Sequence, residues 1–149
     1  MSIFHQRIAL ILPSLGIGGA ELFVNRLVSI LSKRYQILLI ILKNVENEIR
    51  LLPSENIIVF RLDLNGLSHP YSMFRGIVRM RRVIKQFKPS AIQCFLYPSE
   101  LISLFLLKPK RTFWSLRGTG NPLEKSIAKR MAIQLSLFTA NFYPNRVIA

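Results

Sequence analysis

The chain has 149 residues, half of them hydrophobic, and a formal net charge of +14, from 21 Lys and Arg against 7 Asp and Glu. That length suits one domain with its own core, and the apolar content excludes an intrinsically disordered segment. The charge points to an anionic partner such as phosphorylated sugars, an acidic membrane surface or nucleic acid, while the single cysteine, Cys94, excludes a disulfide framework or a cysteine metal cluster.

The first strand is expected at Ile8 to Leu12, continuously apolar as in a parallel sheet covered on both faces. Pro13 to Gly19 reads as a glycine-rich turn, and a helix runs from Ala20 to about Arg34, with Phe23, Leu27, Ile30 and Leu31 on its inner stripe and Asn25, Ser29 and Ser32 on the other side. Strands follow at Tyr35 to Leu42 and at Ile57 to Phe60, joined by the polar connection Lys43 to Asn56 with its break at Pro53. Leu62 to Pro70 is a loop marked by Asn65-Gly66 and Pro70.

A second long helix is predicted over Met73 to Lys88, burying Met73, Ile77, Met80, Ile84 and Phe87. Arg75, Arg79 and Arg82, with Arg81, Lys85 and Lys88 beside them, form its other face, and Pro89 stops it. Ala91 to Leu96 is a fourth strand, inside which Cys94 reads as a packing residue, and Pro98 to Leu107 a short helix. Thr112 to Leu116 is a fifth strand, with Arg117-Gly118-Thr119-Gly120 at its C-terminal end. Asn121-Pro122-Leu123-Glu124 starts another helix by the capping rules; it is expected to run to about Asn141 and to bury Leu123, Ile127, Met131, Leu135 and Phe138. Arg146 to Ala149 begins a further strand.

Strands alternating with helices predict an α/β fold: a doubly wound parallel sheet with helices on both faces, and ligands beyond the strand C-termini. Two loops fall at that edge, Leu15 to Glu21 and Arg117 to Asn121. A glycine turn between strand and helix aims backbone N–H groups and a helix N-terminus at an anion. It is not a dinucleotide fingerprint: Gly16 and Gly18 fit, but Glu21 stands at the third glycine position, and Leu42-Lys43-Asn44 lacks the acidic residue that binds a ribose. No Gly-Lys-Ser/Thr follows, which excludes a nucleotide-hydrolase loop. The bland alternative is a tight strand-to-helix turn.

The order strand–PxLxxGGAE–helix, carried by Pro13-Ser14-Leu15-Gly16-Ile17-Gly18-Gly19-Ala20-Glu21, resembles the opening of the N-terminal domain of family 4 glycosyltransferases, which have the GT-B fold. Lys88-Pro89-Ser90-Ala91-Ile92-Gln93 is similar to the family's "KPDVVH" region, Trp114-Ser115-Leu116-Arg117 to a "WSIR" strand end in members that build surface polysaccharides, and Arg146-Val147-Ile148-Ala149 to the start of "IVANS". The resemblance implies that the chain is the Rossmann-like, acceptor-side half of a two-domain retaining transferase. A nucleotide-sugar is its donor, a glycan or lipid-linked sugar its acceptor, and no metal or other cofactor is expected.

Gly16, Gly18 and Gly19 then become candidates for the donor's phosphates, with Glu21 holding the helix start. Many members have a histidine where this chain has Arg117, and a His-Ala-Asp-like segment where it has Pro98-Ser99-Glu100. Arg117, the one catalytic candidate, Thr119 and Glu100 are therefore acceptor-side candidates; a solvated charge is the alternative for Arg117 and surface placement for Glu100. His5 and His69 are too isolated to suggest a metal site.

The resemblance leaves the donor-binding C-terminal domain outside this sequence. The expectation is an inactive half, completed in a longer protein or by a partner chain; a non-catalytic partner subunit is the alternative. Arg75, Arg79, Arg82 and Lys85 are candidates for contact with an anionic membrane surface. Nucleic acid is disfavoured, because the aromatics sit in apolar runs rather than among arginines. The apolar runs Ile37 to Leu42 and Leu101 to Leu107 are far shorter than the ~20 residues that span a bilayer, and Ile8 to Leu12 is too short for a signal-peptide core. The expected place is therefore the cytoplasm, free or peripheral at the inner face of the membrane.

Overall fold

The computed structural model of the chain describes residues 6–47, 55–64, 70–106, 111–115 and 146–148, with positions 131, 134, 135, 138 and 139. The two most apolar runs form its two most buried strands, β1 (Arg7–Leu12) and β2 (Gln36–Ile41). They pair in parallel from Arg7↔Gln36 to Leu12↔Ile41. Every side chain from Ala9 to Leu12 and from Ile37 to Ile41 is buried, as befits strands with a helical layer on each side.

The remaining strands are β3 (Ile57–Arg61), β4 (Ala91–Phe95), β5 (Thr112–Ser115) and β6 (Arg146–Ile148). All five pairings are parallel, and the order across the sheet is β3-β2-β1-β4-β5-β6. This is a doubly wound sheet whose order reverses between β1 and β4. The strand begun at Arg146 is thus the sixth, added in register beside β5 as Phe113↔Arg146. β3 lies at the edge, which is why Ile58 and Val59 remain 45% and 40% exposed.

One face of the sheet packs under α1 (Gly19–Leu31) through Leu10, Leu12, Val24, Val28, Ile37, Leu39, Ile41 and Phe95. The other packs under α2 (Pro70–Phe87) and α3 (Tyr97–Ser103), which runs on into a 3-10 turn at Leu104–Leu106. Helices on both faces match the expected layering.

Three boundaries and faces differ from expectation. α2 begins at Pro70, not Met73, because proline suits the first helical turn, where its missing N–H has no partner to lose. On α1 the inner stripe is rotated: Val24 and Val28 are its buried centre, Phe23, Leu27 and Leu31 flank it, and Ile30 is 64% exposed. Two residues beyond Val28, Ile30 is turned some 200° around the axis, away from the sheet. Ser32, expected outside, is buried, and its carbonyl accepts a hydrogen bond from Asn56 Nδ2 at 2.8 Å.

Met131, Leu135 and Phe138, expected to be buried, are 68%, 51% and 66% exposed. Their spacing places them on one side of a helix, but periodicity does not supply a layer to cover that side. Leu123, Ile127 and the capping segment Asn121 to Glu124 lie outside the described residues.

Candidate active site

The glycine loop leaves β1 at the point where the strand order reverses. Its base is fixed by continuing the β1–β2 ladder past the strand ends: Leu42 N–H donates to Leu12 O at 3.0 Å and Lys43 N–H to Pro13 O at 2.8 Å. Leu15 anchors the loop in the α1 core, whereas Ile17 stands 79% exposed. Gly18 is the N-cap of α1, with extended backbone at φ −153° and ψ 166° and no side-chain cap; its carbonyl accepts the Leu22 N–H at 3.0 Å.

The reason for glycine here differs from the expected one. None of Gly16, Gly18 and Gly19 has positive φ. A Cβ on Gly16 would meet Ser14 and Val45 at ordinary contact distance, and one on Gly19 would meet nothing within 4 Å. At Gly18 a Cβ would collide with the Glu21 carboxylate, which lies over the helix start in the first turn of α1. The fold itself therefore requires no glycine at position 19, and what the residue provides is clearance. Among the described residues no hydrogen bond uses the N–H of Gly18 or Gly19, which stand at the positive end of a 13-residue helix, Gly19 exposed and Gly18 half-buried.

The other wall of the crevice is the end of β4. Leu96 follows with φ 67° and ψ 149°, a conformation that is nearly glycine's alone. This turn swings the chain into α3, where the N–H groups of Ser99 and Glu100 donate back to Leu96 O at 3.0 and 3.2 Å. Ser99, Glu100 and Ser103 are all fully buried. Glu100 is thus no surface carboxylate, and the alternative of surface placement falls. Phe23 of α1 approaches Phe95 of β4 at 6.4 Å between ring centroids, which ties the two walls together beneath the crevice.

A buried polar relay lies behind α3. Trp114 Nε1 donates to Ser103 Oγ at 3.0 Å, and Ser103 Oγ donates to Glu100 O at 2.6 Å. Ser99 Oγ is buried beside it without a hydrogen bond among the described residues. Burial pushes the Cys94 thiol up to about 12; a hydrogen bond from Ser103 acts the other way and the Glu100 charge adds to the rise. Cys94 is accordingly an inert packing thiol, as its apolar run suggested. Sequence reasoning missed this relay, although the serines spaced four apart, Ser99 and Ser103, followed by Trp114, carried its signal.

Arg117 and Thr119 lie outside the described residues. Arg75, Arg79, Arg82 and Lys85 are exposed together on α2, away from the glycine loop; Arg79 also stacks on the Phe60 ring of the edge strand at 5.4 Å. Among the described residues no three of His, Cys, Asp and Glu come together as metal ligands.

Residues 14–143 match the family described as Glycosyl transferase 4-like. No curated protein matches the sequence. Among solved structures, sucrose-phosphate synthase from Thermosynechococcus elongatus superposes with a TM-score of 0.65 at 13% identity, over 95% of this chain and 41% of that one. MurG from Acinetobacter baumannii superposes with a TM-score of 0.53 at 16% identity, over 87% of this chain and 39% of that one. At such identities the likeness is one of fold, and the chain spans about two fifths of either neighbour's length. With a family match over most of its length and the Rossmann-like sheet of a GT-B half, this chain belongs to the glycosyl transferase 4-like family, as an N-terminal domain of that fold.

Proposed function

We propose that this domain is the acceptor-side half of a retaining, nucleotide-sugar-dependent glycosyltransferase that extends a surface glycan or a lipid-linked sugar, and that it works without a bound metal. In such a transfer the bond from the anomeric carbon to the donor's phosphate oxygen breaks and its electron pair stays on the phosphate. A new bond forms to the acceptor hydroxyl oxygen, whose proton leaves with the phosphate. Negative charge grows on the leaving diphosphate, and the Gly18 and Gly19 N–H groups at the start of α1 stabilise it as it grows. Gly16 lines the same loop as a further contact to the donor's phosphates, and Arg117 and Thr119 belong to the acceptor side; Glu100, fully buried, shapes that side from within α3 rather than touching the acceptor. The donor's pocket lies in a second domain, in the same protein or in a partner chain.

One observation carries this reading: Gly19 is exposed at the head of α1, faces open space and has no backbone reason to be glycine. Clearance for an approaching phosphate explains it. The test is a titration of the isotope-labelled chain with inorganic pyrophosphate, followed by amide NMR. The amides of Gly18, Gly19 and Ala20 are expected to shift most, and Gly19→Val to suppress the shifts while the fold persists. Unmoved amides at these positions would remove the phosphate role.

A further inference from the structure

Past their C-terminal ends, β2 and β3 stay paired: Leu62 N–H donates to Ile41 O at 2.9 Å and Leu64 N–H to Leu42 O at 2.7 Å. Between these two bonds Asp63 takes left-handed backbone, φ 53°, which aspartate tolerates better than most residues other than glycine. The pairing brings three polar side chains into a row. Arg61 Nη1 donates to Asn44 Oδ1 at 3.0 Å, and Asn44 Nδ2 donates to Asp63 Oδ1. A guanidinium only donates and a carboxylate only accepts, so the row fixes the amide between them, oxygen towards Arg61 and NH2 towards Asp63. Asn44 and Asp63 are exposed, and Arg61 is half-buried.

Among the described residues no hydrogen bond uses the second N–H of the Asn44 amide or Asp63 Oδ2. These are a donor and an acceptor side by side. Hydroxyls on two neighbouring carbons answer both, one accepting from the amide and the other donating to the carboxylate. A phosphate answers only the donor and meets like charge at Asp63.

The place in the fold gives an independent reason. In dinucleotide-binding sheets the glycine loop after β1 holds phosphate, and a carboxylate at the end of β2 holds the ribose hydroxyls. Leu42-Lys43-Asn44 carries no acid, but Asp63 brings one to the end of β2 from the neighbouring strand. The row also adjoins the glycine loop: Lys43 N–H donates to Pro13 O at 2.8 Å, and a Cβ on Gly16 would meet Val45 at 3.7 Å.

We propose that Asn44 and Asp63 form a subsite for the vicinal diol of a sugar ring, with Arg61 as the positioning residue that locks the amide. Two sugars offer such a diol, a hexopyranose of a glycan and the ribose of a nucleotide. Placing a glycan there as acceptor rests on the transfer reading above; the recognition of a diol does not.

The experiment is a titration of the isotope-labelled chain with methyl α-D-mannopyranoside and, separately, with uridine. NMR follows the Asn44 side-chain NH2 and the backbone amides of Asp63 and Leu64. Saturable shifts are expected with at least one probe, and binding about tenfold weaker for its analogue without a vicinal diol, the 3-deoxy pyranoside or 2′-deoxyuridine. The probe that binds names the source, pyranoside for a glycan and uridine for a nucleotide. Asp63→Gly should weaken binding by a similar factor with the thermal melt kept, because glycine suits left-handed backbone and the side chain removed is exposed. No shift with either probe, equal binding of the deoxy analogues, or undiminished binding by Asp63→Gly would overturn the proposal. Neither probe carries phosphate. Amide shifts with pyrophosphate but none with the diols would therefore remove this subsite alone, and the reverse result would uphold it while removing the phosphate role of the glycine loop.

Discussion

Gly19 starts α1 in open space at a backbone conformation that alanine also adopts. Alanine is the better helix former by up to about 1 kcal/mol, so Gly19→Ala should leave the melting temperature unchanged or raise it by a few degrees. The same substitution should weaken the pyrophosphate-induced amide shifts; calorimetry and NMR on one sample separate the two effects. Cys94 makes a second prediction. Its thiol ionises near 9.0 when unfolded and near 12 when folded, so the native state holds the proton more tightly. The resulting stability is complete below pH 9 and is lost between about pH 9 and 12, at up to about 1.4 kcal/mol per pH unit. Urea titrations should show a loss in that window that is shallower in Cys94→Ala. At this scale the sequence located the glycine loop and the inert cysteine. It could not foresee that the loop's glycines avoid positive φ, or that Glu100 is sealed away, because both depend on how neighbouring loops close over them.

At the scale of elements, apolar spacing identified which helices face the sheet, but it resolved their rotation unevenly. On α2 the stripe Ile77, Met80, Ile84 and Phe87 is unbroken at a spacing of three or four, and its burial followed. On α1 nearly every position from Leu22 to Leu31 is apolar except Asn25, Arg26 and Ser29, so the pattern admits a neighbouring rotation, and packing against Leu10, Leu12 and Leu39 selected Val24 and Val28. This contrast can be measured. Met80→Ala should cost about 2–5 kcal/mol, as for other buried residues of its size. Ile30→Ala should change stability by no more than about 0.5 kcal/mol. Chemical denaturation of the two variants checks both, and a large loss at Ile30 would contradict the rotated stripe. The exposed ridge of α2 was legible only in part: its cations were plain in the sequence, but Tyr71 joined the helix only once it was seen to start at Pro70.

Across the whole molecule, alternation of strand and helix was enough to predict a doubly wound parallel sheet, and the spatial order β3-β2-β1-β4-β5-β6 agrees with it. Such a sheet gathers its functional loops at one edge, where the glycine loop and the β4–α3 turn face each other across the reversal point. One wall of a cleft does not position a donor held by the other, however well its dipoles are aimed. The isolated chain is therefore expected to release no nucleotide diphosphate from a nucleotide-sugar panel with or without acceptor; turnover by these 149 residues alone would overturn the assignment of the donor pocket to a second domain.

The sealed sulfur of Cys94 has a practical corollary. It is the only thiol in these 149 residues, and the folded state keeps it from reagents. A cysteine introduced at Ile17 or Phe74 would be the sole reactive handle, so a fluorophore coupled there would report from the loop tip or the helix ridge without background from elsewhere in the chain.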